Sequence, residues 1–193
     1  MMRKWLVVLI LLVGSLSAFA VEGKDESREN RELVYKVDIK DEIGPSIWRL
    51  VKRSFDRATD ENADVILVHM NTYGGMVVYA DSLRSLILNY PKPVWVFIDN
   101  NAASAGALIS IACDRIYMRE GANIGAATVV NQTGDAMPDK YQSYMRSMIR
   151  ATAQAHGKDT VMENGQSVIR WKRDPRIAEA MVDERVVVEG VTD

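Results

Sequence analysis

The chain is poor in the residues that build covalent staples, metal cages and histidine-based active sites. It has one cysteine, Cys113, in 193 residues. A lone thiol forms no internal disulfide, so stability must come from packing. Cys113 ends the apolar run "ISIAC" and reads as a buried small hydrophobe rather than a reactive thiol. There are two histidines, His69 and His156. His69 sits inside an apolar strand pattern, where a hydrogen-bonded core histidine is the ordinary case. His156 falls at the end of a helical pattern, where a charged imidazole suits the helix dipole. Neither is well placed to serve a nucleophile. Charge of either sign is also unconcentrated, with 24 basic against 26 acidic residues and a net charge of −2. Nucleic-acid binding needs a clustered basic footprint and is not expected.

The one long apolar run, "WLVVLILLV" at residues 5–13, has nine residues. A membrane-spanning helix needs roughly 20. Arg3 and Lys4 precede it, and "AFA" (Ala18, Phe19, Ala20) puts small residues at the two cleavage positions. Residues 1–20 therefore read as a secretory signal peptide, with a retained anchor as the alternative. Residues 21–32 include "GKDESRENRE" and read as a flexible leader. The rest, residues 33–193, fits one domain. Apolar residues make up 48% of the chain and charged residues 26%, an ordinary globular balance.

The pattern alternates. "LVYKVDI" reads as a half-buried strand, and "GPSIWRLVKRSFDRA" as an amphipathic helix with proline in its first turn. "DVILVHM" and "KPVWVFID" are short continuous apolar runs, as in strands buried on both faces. "MVVYADSLRSLIL", "SAGALISIA" and "DKYQSYMRSMIRATAQAHG" read as helices, and "RIYM" as a short strand. Strand and helix in turn mean an α/β fold with a mostly parallel sheet and right-handed crossovers. Sites in such folds lie at the carboxyl ends of strands. The loops "NTYGG" and "NNAAS" both fall there if their strands are neighbours.

Gly74 and Gly75 permit positive φ and bare N–H groups at a helix start, as an oxyanion hole requires, though most such pairs are only turns. Ser104 precedes "AGALISIA" and is a good N-cap. Yet Ala102, Ala103, Ala105 and Gly106 leave open space around its hydroxyl, and the Ala105 N–H would sit beside its oxygen, as in a nucleophile turn. A serine nucleophile needs a base. With no histidine well placed, a lysine is the other option. It serves only when its pKa falls from roughly 10.4 towards 7–8. Lys140 opens the long helix, followed by Tyr141, Tyr144, Met145 and Met148. Those four are too many large groups for one exposed face, so they meet the core or a partner. On composition alone Lys140 is a solvated lysine.

Taken together, "NTYGG", "NNAASAGALISIACDRIYM", "GANIGAA" and a long helix ending "ATAQAHGKD" resemble the NfeD family, membrane-associated serine proteases with a ClpP/crotonase-like fold of repeated β-β-α and βαβ units. The resemblance covers most of residues 33–157. It implies a Ser–Lys dyad of Ser104 and Lys140, an oxyanion hole from Gly74, Gly75 and Ala105, and a substrate strand along Ala127, Thr128, Val129 and Val130. It implies no cofactor and no metal. It further implies a hydrophobic peptide substrate from a stomatin-like membrane partner and a homo-oligomer, dimeric or larger. The location it implies is outside the cytoplasmic membrane, with membrane association in the full-length protein. The stretch "REGANIGAATVVNQTG" lacks the histidine of a triad, so a dyad fits better.

Two features depart from the family pattern. "TVMENGQSVIRWKR" intervenes after the long helix, and its Asn164–Gly165 pair signals an inserted hairpin, expected near the substrate groove. Relatives also continue past the point where this chain ends, so the protease domain is expected to be incomplete at its C-terminus. Two other functions stay open: a crotonase-type acyl-CoA enzyme with a carboxylate base, and a non-catalytic peptide-binding partner of a membrane scaffold. If residues 1–20 are a signal peptide, a mass spectrum of the exported protein will show Val21 as its first residue. A retained Met1 would favour the anchor.

Overall fold

The computed structural model describes residues 32–189. The predicted signal peptide and most of the leader lie outside them. Twelve elements follow one another: β1 (Val34–Ile39), α1 (Pro45–Asp60), β2 (Val65–Thr72), α2 (Val77–Leu88), β3 (Val94–Ala103), α3 (Ala105–Ala112), β4 (Arg115–Met118), β5 (Asn123–Gly125), α4 (Asp139–Ala155), β6 (Lys158–Glu163), β7 (Gln166–Trp171) and α5 (Pro175–Ala180). Strands β1 to β4 lie in sequence order, all parallel. The expected α/β class and parallel sheet are present.

Strand β3 does double duty. Its first half, Trp95–Ile98, pairs with β4, and its last residues, Asn101–Ala103, pair with β5. At three residues, β5 carries no periodic signal, and the sequence reading missed it. It extends the sheet beside the end of β3, where Ser104 follows.

The register aligns Val37, Val68, Val96 and Ile116 across one face, with Ile39, Met70, Ile98 and Met118 one step on. The valines and isoleucines of β1, β2 and β3 on this face are fully or almost fully buried. They form one core with Phe55 of α1, Leu83 of α2, Leu108 and Ile109 of α3 and Ile149 of α4. The opposite face bears Lys36, Asp38, His69 and Asp99, and these remain at least partly exposed. This corrects the expectation that "DVILVHM" is buried on both faces. His69 is accordingly no core residue. Its Nδ1 lies 2.8 Å from Asp38 and its Nε2 3.5 Å from Asp99.

Helix α4 divides its large side chains. Met145 and Met148 are buried in the core, whereas Tyr141 and Tyr144 stand exposed. The helix ends at Gly157, whose φ of 72° suits a residue without a side chain. His156 is half-buried, and its Nε2 lies 2.7 Å from the Ile111 carbonyl. Burial, with Arg173 nearby, holds its pKa below the ordinary 6.5, so the imidazole is held neutral rather than charged as the dipole argument had it. The predicted hairpin is present as β6 and β7, antiparallel, with Asn164 and Gly165 both at positive φ in its turn. Its base does not adjoin Ser104. Lys172 N–H donates to the Gly157 carbonyl, and Arg173 donates to the Cys113 carbonyl, beside the amino end of β4 and so at the other end of the strands from Ser104.

Leu108 is completely buried. Leu108→Ala should cost about 2–5 kcal/mol in urea unfolding, the range for an unfilled core site. His156 binds its proton less readily folded than unfolded, so stability falls as pH drops through 6.5. The urea midpoint should be lower at pH 5 than at pH 7, and His156→Gln should narrow that gap.

Candidate active site

Ser104 ends the run of β3 and starts α3 with φ 54° and ψ −114°. A non-glycine residue in this region is strained and persists only when its surroundings fix it. Its own N–H donates to the Gly125 carbonyl at 2.8 Å, which ties the turn to the end of β5. An N-cap serine ordinarily sits in extended backbone with its oxygen on the helix N–H groups. Ser104 has neither property: the backbone is left-handed and its hydroxyl makes no cap hydrogen bond. The hydroxyl is left free of that duty, in partly exposed space.

Gly74 and Gly75 stand opposite. A Cβ on Gly74 would lie 2.7 Å from the Ser104 Cβ, and one on Gly75 only 2.3 Å from the Ile43 carbonyl oxygen. Both have positive φ, 117° and 151°. The loop is laced on both sides: Ile43 N–H donates to the Gly74 carbonyl and Met76 N–H to the Ile43 carbonyl, each at 2.8 Å. Buried Thr72 completes the lacing. Its Oγ1 accepts from Gly74 N–H at 3.2 Å and donates to the Asp41 carbonyl at 2.8 Å. Gly74 is thus a spacer, with its N–H already committed. Among the described residues, Gly75 N–H and Ala105 N–H donate to no acceptor. Thr72, Ile43 and Gly125 were not foreseen. The first two have no sequence signature, while Gly125 was visible only as part of "GANIGAA".

Residues 127–130 run along the other wall. Ala127 N–H donates to the Met181 carbonyl at 2.7 Å. The side-chain amide of Gln142 bonds both backbone groups of Val129, at 2.9 and 2.7 Å. Thr128 and Val130 keep their backbone groups unpaired among the described residues, while the Thr128 hydroxyl donates to the Val182 carbonyl at 3.0 Å. The segment is therefore fixed from behind and offers alternate residues forward, as an edge strand does.

Lys140 is exposed on the first turn of α4. Its Nζ lies 4.9 Å from the centre of the Tyr141 ring. Among the described residues no hydrogen bond joins it to Ser104. Lys140 shares an apolar groove of about 540 Å³ with Val77, Val78, Asp81, Val129, Tyr141 and Tyr144. Val77 begins the helix that follows the glycine loop, so the groove leads from Lys140 towards that loop. Asp81 is the carboxylate in its lining, and Arg84 holds it at 2.7 Å.

The profile of the NfeD1b N-terminal domain matches residues 33–193. The chain belongs to the NfeD1b family. Membrane protein NfeD1b of Bacillus subtilis is 31% identical over 165 residues, which are 86% of this chain and 34% of that protein. Membrane-bound protease PH1510 of Pyrococcus horikoshii is 26% identical over 172 residues, 83% of this chain and 36% of that protein. The chain thus spans about a third of the length of these relatives. Among solved structures, the 1510-N membrane-bound stomatin-specific protease superimposes with a TM-score of 0.67 at 24% identity, covering 81% of this chain and 68% of that one. It was solved as a lysine-to-alanine mutant with a substrate peptide, and also as a serine-to-alanine mutant. ClpP1 of Listeria monocytogenes follows at a TM-score of 0.52 and 15% identity, covering 77% of this chain and 88% of that one. An enoyl-CoA hydratase of Mycobacterium marinum gives 0.50 at 17% identity, covering 78% and 72%. The fold is thereby the ClpP/crotonase fold of this NfeD1b-family chain. Among its described residues no helix is long and apolar enough to cross a membrane.

The packing makes the Gly74 requirement testable. Gly134 also has positive φ, 87°, but nothing lies within 4 Å of its Cβ position. Gly74→Ala should lower thermal stability more than Gly134→Ala, beyond the ~1 kcal/mol expected from backbone strain. Equal losses would mean that φ alone, and not the approach to Ser104, requires glycine.

Proposed function

We propose that this domain is a serine endopeptidase in which Ser104 is the nucleophile and Lys140 the base. One observation carries the reading: Ser104 is held in a strained turn with its hydroxyl withheld from helix capping, next to two unpaired N–H groups. That is the arrangement of an activated nucleophile beside an oxyanion hole. Ser104 Oγ attacks the peptide carbonyl carbon while a neutral Lys140 takes its proton. The carbonyl oxygen becomes an oxyanion held by Gly75 N–H and Ala105 N–H. Lys140 then protonates the departing amine, the C–N bond breaks, and an acyl-enzyme remains. Water, deprotonated by Lys140, attacks the ester and frees Ser104.

The apolar groove fits a hydrophobic peptide, and Thr128 and Val130 have free backbone groups with which a substrate strand pairs. Lys140 must leave the Tyr141 ring for the dyad to close; catalytic hydrogen bonds often tighten only once substrate binds. The stomatin specificity of the 1510-N protease makes a stomatin-like membrane protein the proposed partner. The remaining expectations follow the same reading: residues 1–20 a signal peptide, 33–193 the protease domain, an extracytoplasmic and membrane-associated setting, and a homo-oligomer. The acyl-CoA reading fares worse, because the groove's carboxylate is already paired with Arg84.

Cleavage of hydrophobic peptides by the full chain tests the proposal. Ser104→Ala and Lys140→Ala should each lower the rate by about 10⁴-fold with unchanged melting behaviour. Three proteins that cut equally, or none that cut at all, would move the peptide-binding reading ahead.

A further inference from the structure

The amino ends of β3 and β4, at the other end of the strands from Ser104, carry a second pocket, which the protease reading does not use. It measures about 330 Å³, and its lining includes Asp114, Arg115, Tyr117, His156, Lys172 and Arg173. The cations come from two separate elements: Arg115 opens β4, while Lys172 and Arg173 follow β7. His156 caps α4. The hairpin insertion thus delivers two of the cations.

These charges are sparsely partnered. Arg173 is half-buried, donates to the neutral Cys113 carbonyl, and has a buried Nε without any acceptor among the described residues. Arg115 lies over the Trp95 ring at 5.4 Å and reaches only the Tyr117 hydroxyl, at 3.5 Å. Among the described residues neither arginine makes an ion pair, and Lys172 makes a loose, exposed one with Asp159 at 3.6 Å. Asp114 is the one carboxylate of the lining, and its Oδ2 already accepts Val94 N–H at 2.7 Å. Three cations therefore line a pocket whose wall holds one committed carboxylate, in a chain whose net charge is −2. Partly burying a guanidinium without an anion costs stability. An anion seated here offsets that cost.

We propose that this pocket binds a phosphate ester. Two guanidinium forks and an ammonium from separate elements suit a tetrahedral group with three acceptor oxygens better than a planar carboxylate. A neighbouring hollow of about 440 Å³ shares Asp114 and Arg115 and adds Tyr90, Lys92, Pro93 and Trp95. It gives room for the alcohol part of the ester. The ester comes either from a soluble metabolite or from a phospholipid headgroup; the chemistry at the cations is the same.

Isothermal titration of the full chain with glycerol 3-phosphate tests the pocket. The double variant Arg115→Ala/Lys172→Ala, both sites exposed, should weaken binding at least about tenfold. A control, Lys36→Ala/Lys40→Ala, removes two cations elsewhere on the sheet and should bind as the parent does. No binding by the parent, or the same loss in the control, overturns the proposal. Flotation with phosphatidylcholine vesicles, with and without phosphatidic acid, then identifies the source. Added retention on phosphatidic acid that the double variant loses supports a lipid headgroup. Equal retention on both vesicles, with glycerol 3-phosphate binding intact, supports a soluble ester.

Discussion

The hydrogen bond from Ser104 N–H to the Gly125 carbonyl is the constraint on which the candidate site depends. A serine leaving a strand for a helix would relax to extended backbone and cap that helix with its hydroxyl. The bond to Gly125 opposes that relaxation. It draws the chain into the left-handed region and turns the hydroxyl away from helix α3. The empty Cβ position of Gly74 makes room for the result. The strain is thus sustained from two directions, by a strand on one side and by a side-chain-free loop on the other.

What the sequence displayed, and what it hid, follow from the range of each interaction. Periodicity is local, so the helices and the first four strands were legible from the spacing of Val, Ile and Leu. Turn chemistry is local too, and Asn164–Gly165 marked its hairpin. Strand β5 was invisible because three residues have no period, and its place is decided by pairing with Ala103, over twenty positions earlier. The roles of Thr72, Ile43 and Gln142 are likewise long-range. Nothing near Thr72 in the chain says that its hydroxyl will span two loops. Composition hinted that Ser104 was unusual; the backbone angle and the missing cap hydrogen bond separate it from an ordinary cap.

Two errors share a cause. Reading "DVILVHM" as buried on both faces, and His156 as a charged helix cap, each assigned an environment from the residue's own element. Among the described residues the sheet is covered on one side, so His69 meets Asp38 and Asp99 rather than a core. His156 meets Arg173, which lies beyond the hairpin, and burial and that cation together keep it neutral. Neighbours contributed by distant elements decided both cases.

The sharing of β3 between two successive strands has a consequence for the order of assembly. The turn at Ser104 is complete only after β5 has docked on the far end of β3, and the wall at Val129 only after Gln142 of α4 and Met181 have arrived. The turn therefore waits for residues about twenty positions on, and the wall beside it for Met181, more than fifty positions beyond Ala127. A chain halted in synthesis before β5 holds Ser104 in sequence but not in its strained geometry. The architecture sets an order: the strained turn forms once β5 docks, and the candidate site is whole only when the α4 and Met181 contacts have formed as well.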